Sequence, residues 1–421
     1  MKSKQIKIIG DIMLDTWVDG KFERKSPEAP INIFQSNKTT YSLGGVGNLS
    51  VNLKSLKIKH TLLTDIGKDS IGNKIIKYLK NEKIKFITSR SKNISTSKER
   101  FYCKDKQIFR KDIEDSFKNF KASNKIINSI KKNDFVVISD YKKGLINKQV
   151  VDQLNKKNCK IFVDPKNTPM TYKNVFLIKP NMEKFEEWCG KFSEKKAFSL
   201  LKKMNWHWLI ISHNKHGVYV FNKFGMKNFY RVKQVRNPNV VGAGDIFFAG
   251  IIYNYLKKFD IFSCVELSSY AASKCVNKKK IRKININDFK KEIIFTNGVF
   301  DILHTGHIDL LKFSKKLGKK LIVGINSDQS VKLNKGKNRP YNNLFLRIRN
   351  LKKTKLTNEI IFFKEKTPIK LIKKIKPDVI VKGSDYSFSE IAGNKVANII
   401  IFKKKNKMSS TKKLMKMNKL N

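Results

Sequence analysis

Short apolar runs that each end in a polar residue recur along the first part of the chain: IKIIGD (6–11), DFVVISD (134–140), KIFVDP (160–165), VFLIKPN (175–181) and WLIIS (208–212). Runs of this length, separated by helical stretches, predict buried parallel strands whose carboxyl ends carry polar groups. A doubly wound α/β sheet follows, with its ligand crevice at those ends. Two segments break the rhythm. PINIFQS (30–36) and ERFYCKDKQIFRKD (99–112) alternate apolar and polar positions, as half-exposed strands do. They predict a small β lid. A second α/β rhythm begins near residue 292 with EIIFTNG, a helix from Gly306, and then KLIVGINSD (320–328), PDVIVKGSD (377–385) and NIIIF (398–402). The expected organisation is one domain over 1–290 and a smaller Rossmann-like domain over 291–421, joined through the basic stretch NKKKIRKININDFKKE (277–292).

A length of 421 residues with 40% hydrophobic positions fits two or three cores. The formal charge of +56 raises the question of a nucleic-acid or membrane-surface partner. Only ten of the 90 basic residues are Arg, and the Lys are spread along the whole chain with many Asn and Ile. Nucleic-acid readers favour forked Arg donors gathered on one face. The even spread reads instead as a codon-composition bias, and no specific nucleic-acid partner is expected. The five cysteines, Cys103, Cys159, Cys189, Cys264 and Cys275, show neither pairing nor metal-ligand spacing. With no apolar stretch of about 18 residues, a cytoplasmic protein without membrane contact is expected.

Two constellations carry chemistry. In NPNVVGAGDIFFAGIIYNYL (237–256), a glycine-rich turn runs into an apolar helix. Gly242, Ala243 and Gly244 can offer backbone N–H groups to a phosphate at the helix start, and Asp245 stands where a base for a substrate hydroxyl is needed. The plainer reading makes the turn only a turn and Asp245 only a cap. In NGVFDILHTGHIDLL (297–311), His304 and His307 flank Gly306 at a strand-to-helix junction, so two imidazoles converge on a helix N-terminus suited to phosphate. A zinc site is not expected, because no third ligand lies at suitable spacing.

The first half resembles the ribokinase-like carbohydrate kinases. GAGD matches their signature, and GDIMLD with Asp11 and Asp15, GGVGN with Gly44, Gly45 and Asn48, DPK with Asp164 and Lys166, and KPN with Asn181 follow in the family's order. The resemblance implies that Asp245 is the catalytic base and that the GAG amides form an anion hole. It also implies that Asp11, Asp15, Gly44, Gly45, Asn48 and Lys166 serve the sugar and Asn181 the nucleotide. KSPEAPINI (25–33) and SDYKKG (139–144) are similar to segments of heptose 7-phosphate kinases, for which Lys98, Arg100 and Arg110 on the lid would suit a phosphorylated sugar. Three positions depart from the family pattern: Asn239 and Val241 replace Asp and Thr, and Lys184 replaces a Glu that helps organise magnesium, with Glu183 beside it.

The second half resembles the cytidylyltransferase-like nucleotidyltransferases through FTNGVFDILHTGH. Lys335, Gly336 and Arg339 in NSDQSVKLNKGKNRP, Lys382 and Asp385 in VKGSDY, and Ser409, Ser410 and Thr411 in MSSTKKL follow in order. The resemblance implies that His304 and His307 contact nucleotide phosphates, and that the Lys, Arg, Ser and Thr groups bind ATP. Together the halves resemble the bifunctional family that couples a D-glycero-β-D-manno-heptose 7-phosphate kinase to a heptose 1-phosphate adenylyltransferase, in ADP-heptose synthesis for lipopolysaccharide. ATP and Mg2+ are the implied cofactors, and a homodimer or higher oligomer through the lid is implied. Two alternatives stay open: a chain whose kinase half is degenerate, and a basic nucleic-acid-binding protein.

Overall fold

In the computed structural model, residues 6–90, 94–114, 124–232, 241–276, 282–386 and 390–402 are described. The chain divides into two compact units, Met1–Lys257 with Ala272–Asn285, and Lys258–Ala271 with Ile286–Asn421.

In the first unit the apolar runs form the strands expected of them, and further strands join them. They are β1 (Ile6–Gly10), β2 (Ile12–Lys25), β3 (Asn32–Gly45), β4 (Thr61–Thr64), β5 (Lys85–Thr88), β6 (Ser97–Cys103), β7 (Lys106–Ile113), β8 (Phe135–Ser139), β9 (Lys160–Asp164), β10 (Leu177–Ile178), β11 (Trp208–His213), β12 (Gly217–Asn222) and β13 (Lys227–Tyr230). Nine of them form one sheet in the order β13-β12-β11-β10-β9-β8-β1-β4-β5. It is parallel from β5 to β11 and closes with two antiparallel strands. Because β1 is followed by β4 on one side and flanked by β8 on the other, the strand order reverses between β1 and β8. That is the crevice position of a doubly wound sheet. Ile9, Val136, Ile138, Val163, Ile178, Leu209 and Ile211 bury the core beneath, packed with Tyr172, Phe185 and Trp206.

The lid is larger than the alternation suggests. It is a four-stranded sheet in the order β3-β2-β6-β7, and β2 extends it by running on from β1 after a single residue, Asp11. The segment 12–25 lacks strict alternation because its first half is buried and its second half exposed.

The second unit holds a five-stranded parallel sheet in the order β16-β15-β14-β17-β18. Its strands are β14 (Lys291–Gly298), β15 (Gly318–Asn326), β16 (Glu359–Phe363), β17 (Val379–Gly383) and β18 (Asn398–Phe402). Strand order reverses between β14 and β17. This unit also takes the first part of the helix Ile261–Cys275. There Glu266 accepts a 2.6 Å hydrogen bond from the Lys291 ammonium and a 3.2 Å bond from Asn398 Nδ2, and the Tyr270 ring lies 3.8 Å from that ammonium. The carboxylate and ammonium side chains are 1% and 2% exposed, so this is a fully desolvated ion pair.

Candidate functional sites

The first site forms where the β1 and β8 ends meet the helix Ala243–Leu256. Gly242 is the residue before that helix and adopts φ +72°, a left-handed conformation that a Cβ would strain. Ala243 and Gly244 open the helix, where backbone N–H groups have no partner within the helix, and an added Cβ on Gly244 would meet nothing within 4 Å. Asp245 lies buried in the first turn. Its Oδ2 accepts a 2.7 Å hydrogen bond from Asn48 Nδ2, and its Oδ1 a 3.0 Å bond from the Tyr141 hydroxyl. Burial pushes the Asp245 carboxyl up to about 7, against the lowering effect of those two donors. A carboxyl poised there is suited to accept a proton at neutral pH.

Asn48 has a fixed orientation. Its Oδ1 accepts from Asn52 Nδ2 at 3.0 Å, and Asn52 Oδ1 accepts from the Ile284 amide at 3.0 Å, so the Asn48 amide nitrogen is left to face Asp245. Gly44 and Gly45 are both required by geometry. A Cβ on Gly44 would meet Asp15 Oδ2 at 2.2 Å, and Gly45 has φ +59°.

Asp11 is held among backbone amides. Its Oδ2 accepts from the Tyr141 and Lys143 amides at 3.0 Å each, and its Oδ1 from the Leu145 amide at 3.4 Å. Its carboxylate therefore anchors the loop after β8. Asp15 and Arg100, both expected to hold sugar, pair with each other at 2.8 Å in a buried position. Lys98 lies half-buried beside them, and burial and then Arg110 hold its ammonium below the ordinary lysine range. Arg110 pairs with Asp112 at 2.5 Å.

Asn181 caps the helix Met182–Cys189 by accepting from the Lys184 amide at 2.9 Å. Lys184 turns to Glu187 at 2.5 Å, while Glu183 is exposed. Lys166 donates its backbone amide to the Tyr172 hydroxyl at 3.2 Å. Asp164, at the end of β9, is neutralised by Lys179 at 3.1 Å. Among the described residues no group of three His, Cys, Asp or Glu side chains is placed to hold a metal ion. The described side chains therefore offer no ready-made cage, whereas magnesium commonly takes only one or two carboxylates and completes its shell with phosphate oxygens and water. Val241 is half-buried, and Asn239 lies outside the described residues.

The second site forms between β14 and β17. His304 is the extended residue before the helix Thr305–Leu317, and its ring stacks on that of His307 at 3.8 Å with an interplanar angle of 22°. Phe300 meets the His307 ring edge-on at 5.1 Å. Lys382 on β17 donates to the Asn297 carbonyl at 3.0 Å, and burial lowers its ammonium to about 8. Lys335 ends the helix Asp328–Lys335, and Gly336 follows it with φ +91°. Arg339 reaches Asp301 at 3.4 Å and lies 4.1 Å over the Tyr341 ring. Ser409, Ser410 and Thr411 lie outside the described residues.

Residues that the motifs did not single out build the floor of this site. Asp301 accepts the Tyr341 and Asn342 amides at 2.9 Å each. Arg347, fully buried, donates to the Asn342, Val299 and Asn326 carbonyls and to Asp328 Oδ1 at 2.6–3.0 Å. One guanidinium thus ties the loop after β14 to the end of β15. In the first unit, Tyr141, Asn52 and Lys179 are the comparable additions.

Two candidate sites, each at a helix start, find their counterpart in known proteins. Residues 4–286 match the pfkB family carbohydrate kinase model, and residues 295–417 match the cytidylyltransferase-like model. The bifunctional protein HldE of a Nitratiruptor species is 31% identical over 437 residues, covering 93% of this chain and 94% of that protein. The bifunctional protein HldE of Campylobacter jejuni (strain RM1221) is 34% identical over 432 residues, covering 93% and 92%. This chain belongs to the bifunctional HldE family. It is accordingly an enzyme with a sugar-kinase part and a nucleotidyltransferase part. The fold of the first part is shared with phosphofructokinase-2 from Escherichia coli (TM-score 0.57, 14% identity, 68% of this chain and 97% of that chain). It is also shared with ribokinase from Thermotoga maritima (TM-score 0.54, 16% identity, 68% and 98%). Among the described residues no helix is long and apolar enough to cross a membrane.

Proposed function

We propose that residues 1–290 transfer the γ-phosphoryl group of ATP to the anomeric hydroxyl of D-glycero-β-D-manno-heptose 7-phosphate. After a separate phosphatase has hydrolysed the 7-phosphate from the bisphosphate product, residues 291–421 transfer AMP from ATP to heptose 1-phosphate, releasing pyrophosphate and yielding ADP-heptose for the lipopolysaccharide core. The observation that carries this reading is Asp245, a buried carboxyl near neutral titration at a glycine-rich helix start, on a chain that also carries the stacked His304–His307 pair.

In the first reaction Asp245 takes the hydroxyl proton, the sugar oxygen attacks the γ-phosphorus in line, and ADP leaves. The Ala243 and Gly244 amides stabilise charge on the transferring group, and Asn181 lies toward the nucleotide. In the second, a sugar-phosphate oxygen attacks the α-phosphorus and pyrophosphate leaves, with no bond formed to the protein. His304, His307, Arg339 and Lys382 offset the developing charge, joined by Lys335, Ser409, Ser410 and Thr411 at the nucleotide. MgATP is the substrate of both parts, the site of action is the cytoplasm, and the lid sheets pair between copies of the chain.

Lys98 and Arg110 are assigned to the phosphate that the sugar already bears. Lys98→Ala is expected to raise KM for the heptose 7-phosphate by about tenfold with little change in kcat, as loss of binding shared by ground and transition states does. An unchanged KM would remove Lys98 from the assignment.

Phosphorus NMR with ATP, magnesium and heptose 7-phosphate tests the whole reading. Without a phosphatase, the 1,7-bisphosphate should accumulate. Pyrophosphate release from ATP and heptose 1-phosphate, with no bisphosphate formed from the 7-phosphate, would leave only the transferase part standing.

A further inference from the structure

We infer that Tyr141 is a positioning residue of the phosphoryl-transfer site: its hydroxyl holds Asp245 ionised and oriented, and Asp11 holds Tyr141. The inference rests on Asp245 as the base and adds the group that tunes it.

Tyr141 lies at the start of the loop that follows β8, and carboxylates hold the backbone amides of that loop. Asp11 accepts the amides of Tyr141, Lys143 and Leu145, and Asp140 Oδ1 accepts that of Lys142 at 2.7 Å. Asp140 is held in turn by Asn167 Nδ2 at 2.8 Å and by the Tyr172 hydroxyl. The loop is thus fastened at closely spaced amides, and the side chain of Tyr141 is delivered to one place. Its hydroxyl is 3.0 Å from Asp245 Oδ1. Burial, reinforced by Asp245, Asp164 and Asp15, drives the phenol well above its ordinary value, so it stays protonated and faces the carboxylate as a donor.

Four groups bear on Asp245. Asn48 comes from the helix Val46–Ser55 and Tyr141 from the β8 loop. Asp164 at the end of β9 opposes ionisation, and Lys179 after β10 favours it. Of the two donors, Asn48 is neutral and fixed by Asn52, whereas the phenol's donor strength depends on its own acidity. That makes Tyr141 adjustable in either direction.

The test reads the carboxyl itself. Protein labelled with 13Cγ-aspartate is titrated by NMR, and the Asp245 resonance is assigned by its absence in Asp245→Asn. Tyr141→Phe is expected to raise the Asp245 midpoint by on the order of one pH unit, because a hydrogen bond to a charged group is lost. A more acidic fluorinated tyrosine placed at 141 is expected to lower it, and this variant keeps the shape of the side chain. The acid limb of kinase kcat/KM should move with the midpoint in both variants. A midpoint unmoved by either change would overturn the inference. A midpoint that moves in a protein showing no kinase turnover would leave Tyr141 tuning Asp245 and instead overturn the reading of Asp245 as a working base.

Discussion

Asp245→Asn is expected to lower kcat for sugar-dependent ADP formation by about 10²–10⁴-fold, the range contributed by a positioned general base. Pyrophosphate release in the adenylyl reaction should stay at the parent level. The substitution is well suited to the site because the fold can absorb it. Asn48 Nδ2 is fixed as a donor, so the new amide presents its oxygen there and its nitrogen to Tyr141, whose hydroxyl can accept as well as donate. Loss of activity will therefore report the missing base and not a disturbed site. The parent enzyme should show the corresponding pH dependence. With the carboxyl at about 7, kinase kcat/KM falls as pH drops through neutrality, because the protonated acid cannot take a proton from the sugar. ADP formation by Asp245→Asn within about twofold of the parent would remove Asp245 from the mechanism.

Glu266→Ala is expected to destabilise the second unit by about 3–5 kcal/mol, since it leaves the Lys291 ammonium buried without its counter-charge. Replacing both partners by Met should recover most of that loss, because two desolvated charges are exchanged for apolar packing. All four tryptophans, Trp17, Trp188, Trp206 and Trp208, belong to the first unit, so their fluorescence in denaturant follows that unit. The transferase unit is followed instead by loss of pyrophosphate release and by far-UV circular dichroism. Equal midpoints for Glu266→Ala and the parent would show that the pair contributes nothing net.

The central strands and the helix starts of both sites were legible in the sequence, because buried parallel strands write continuous apolar runs and glycine-rich helix starts are local. Six strands outside those runs were not, among them Ile12–Lys25, whose second half is exposed, and Glu359–Phe363 at the edge of the second sheet. Thr61–Thr64 and Lys85–Thr88 are only four residues each, and Gly217–Asn222 and Lys227–Tyr230 form a hairpin against the end of the sheet. Site residues were legible where a motif is contiguous, as at Asp245 and His304. They were hidden where the link is tertiary, as from Tyr141 to Asp245 across 104 positions. Residue type carried a signal of its own, and it extends to Arg347, which no motif singled out. In a chain with ten Arg among 90 basic residues, Arg100, Arg110, Arg339 and Arg347 each face a carboxylate, where a fork binds better than an ammonium. The loop-anchoring contacts of Asp11 were hidden for a different reason: a carboxylate at a strand end can serve a ligand or a neighbouring loop, and composition does not distinguish the two.

The path of the chain between the two units bears on where it can be cut. Residues 258–271 belong to the second unit and supply Glu266, after which 272–285 return to the first and supply the Ile284 amide that fixes Asn52, Asn48 and so Asp245. A break after 257 would take Ile284 from Asn52 and so from the chain of hydrogen bonds to Asp245, and a break after 290 would take Glu266 from beside Lys291. No single cut between 257 and 290 leaves both the Ile284–Asn52 contact and the Glu266–Lys291 pair whole, so a truncation meant to isolate either unit disturbs a buried polar contact of one of them.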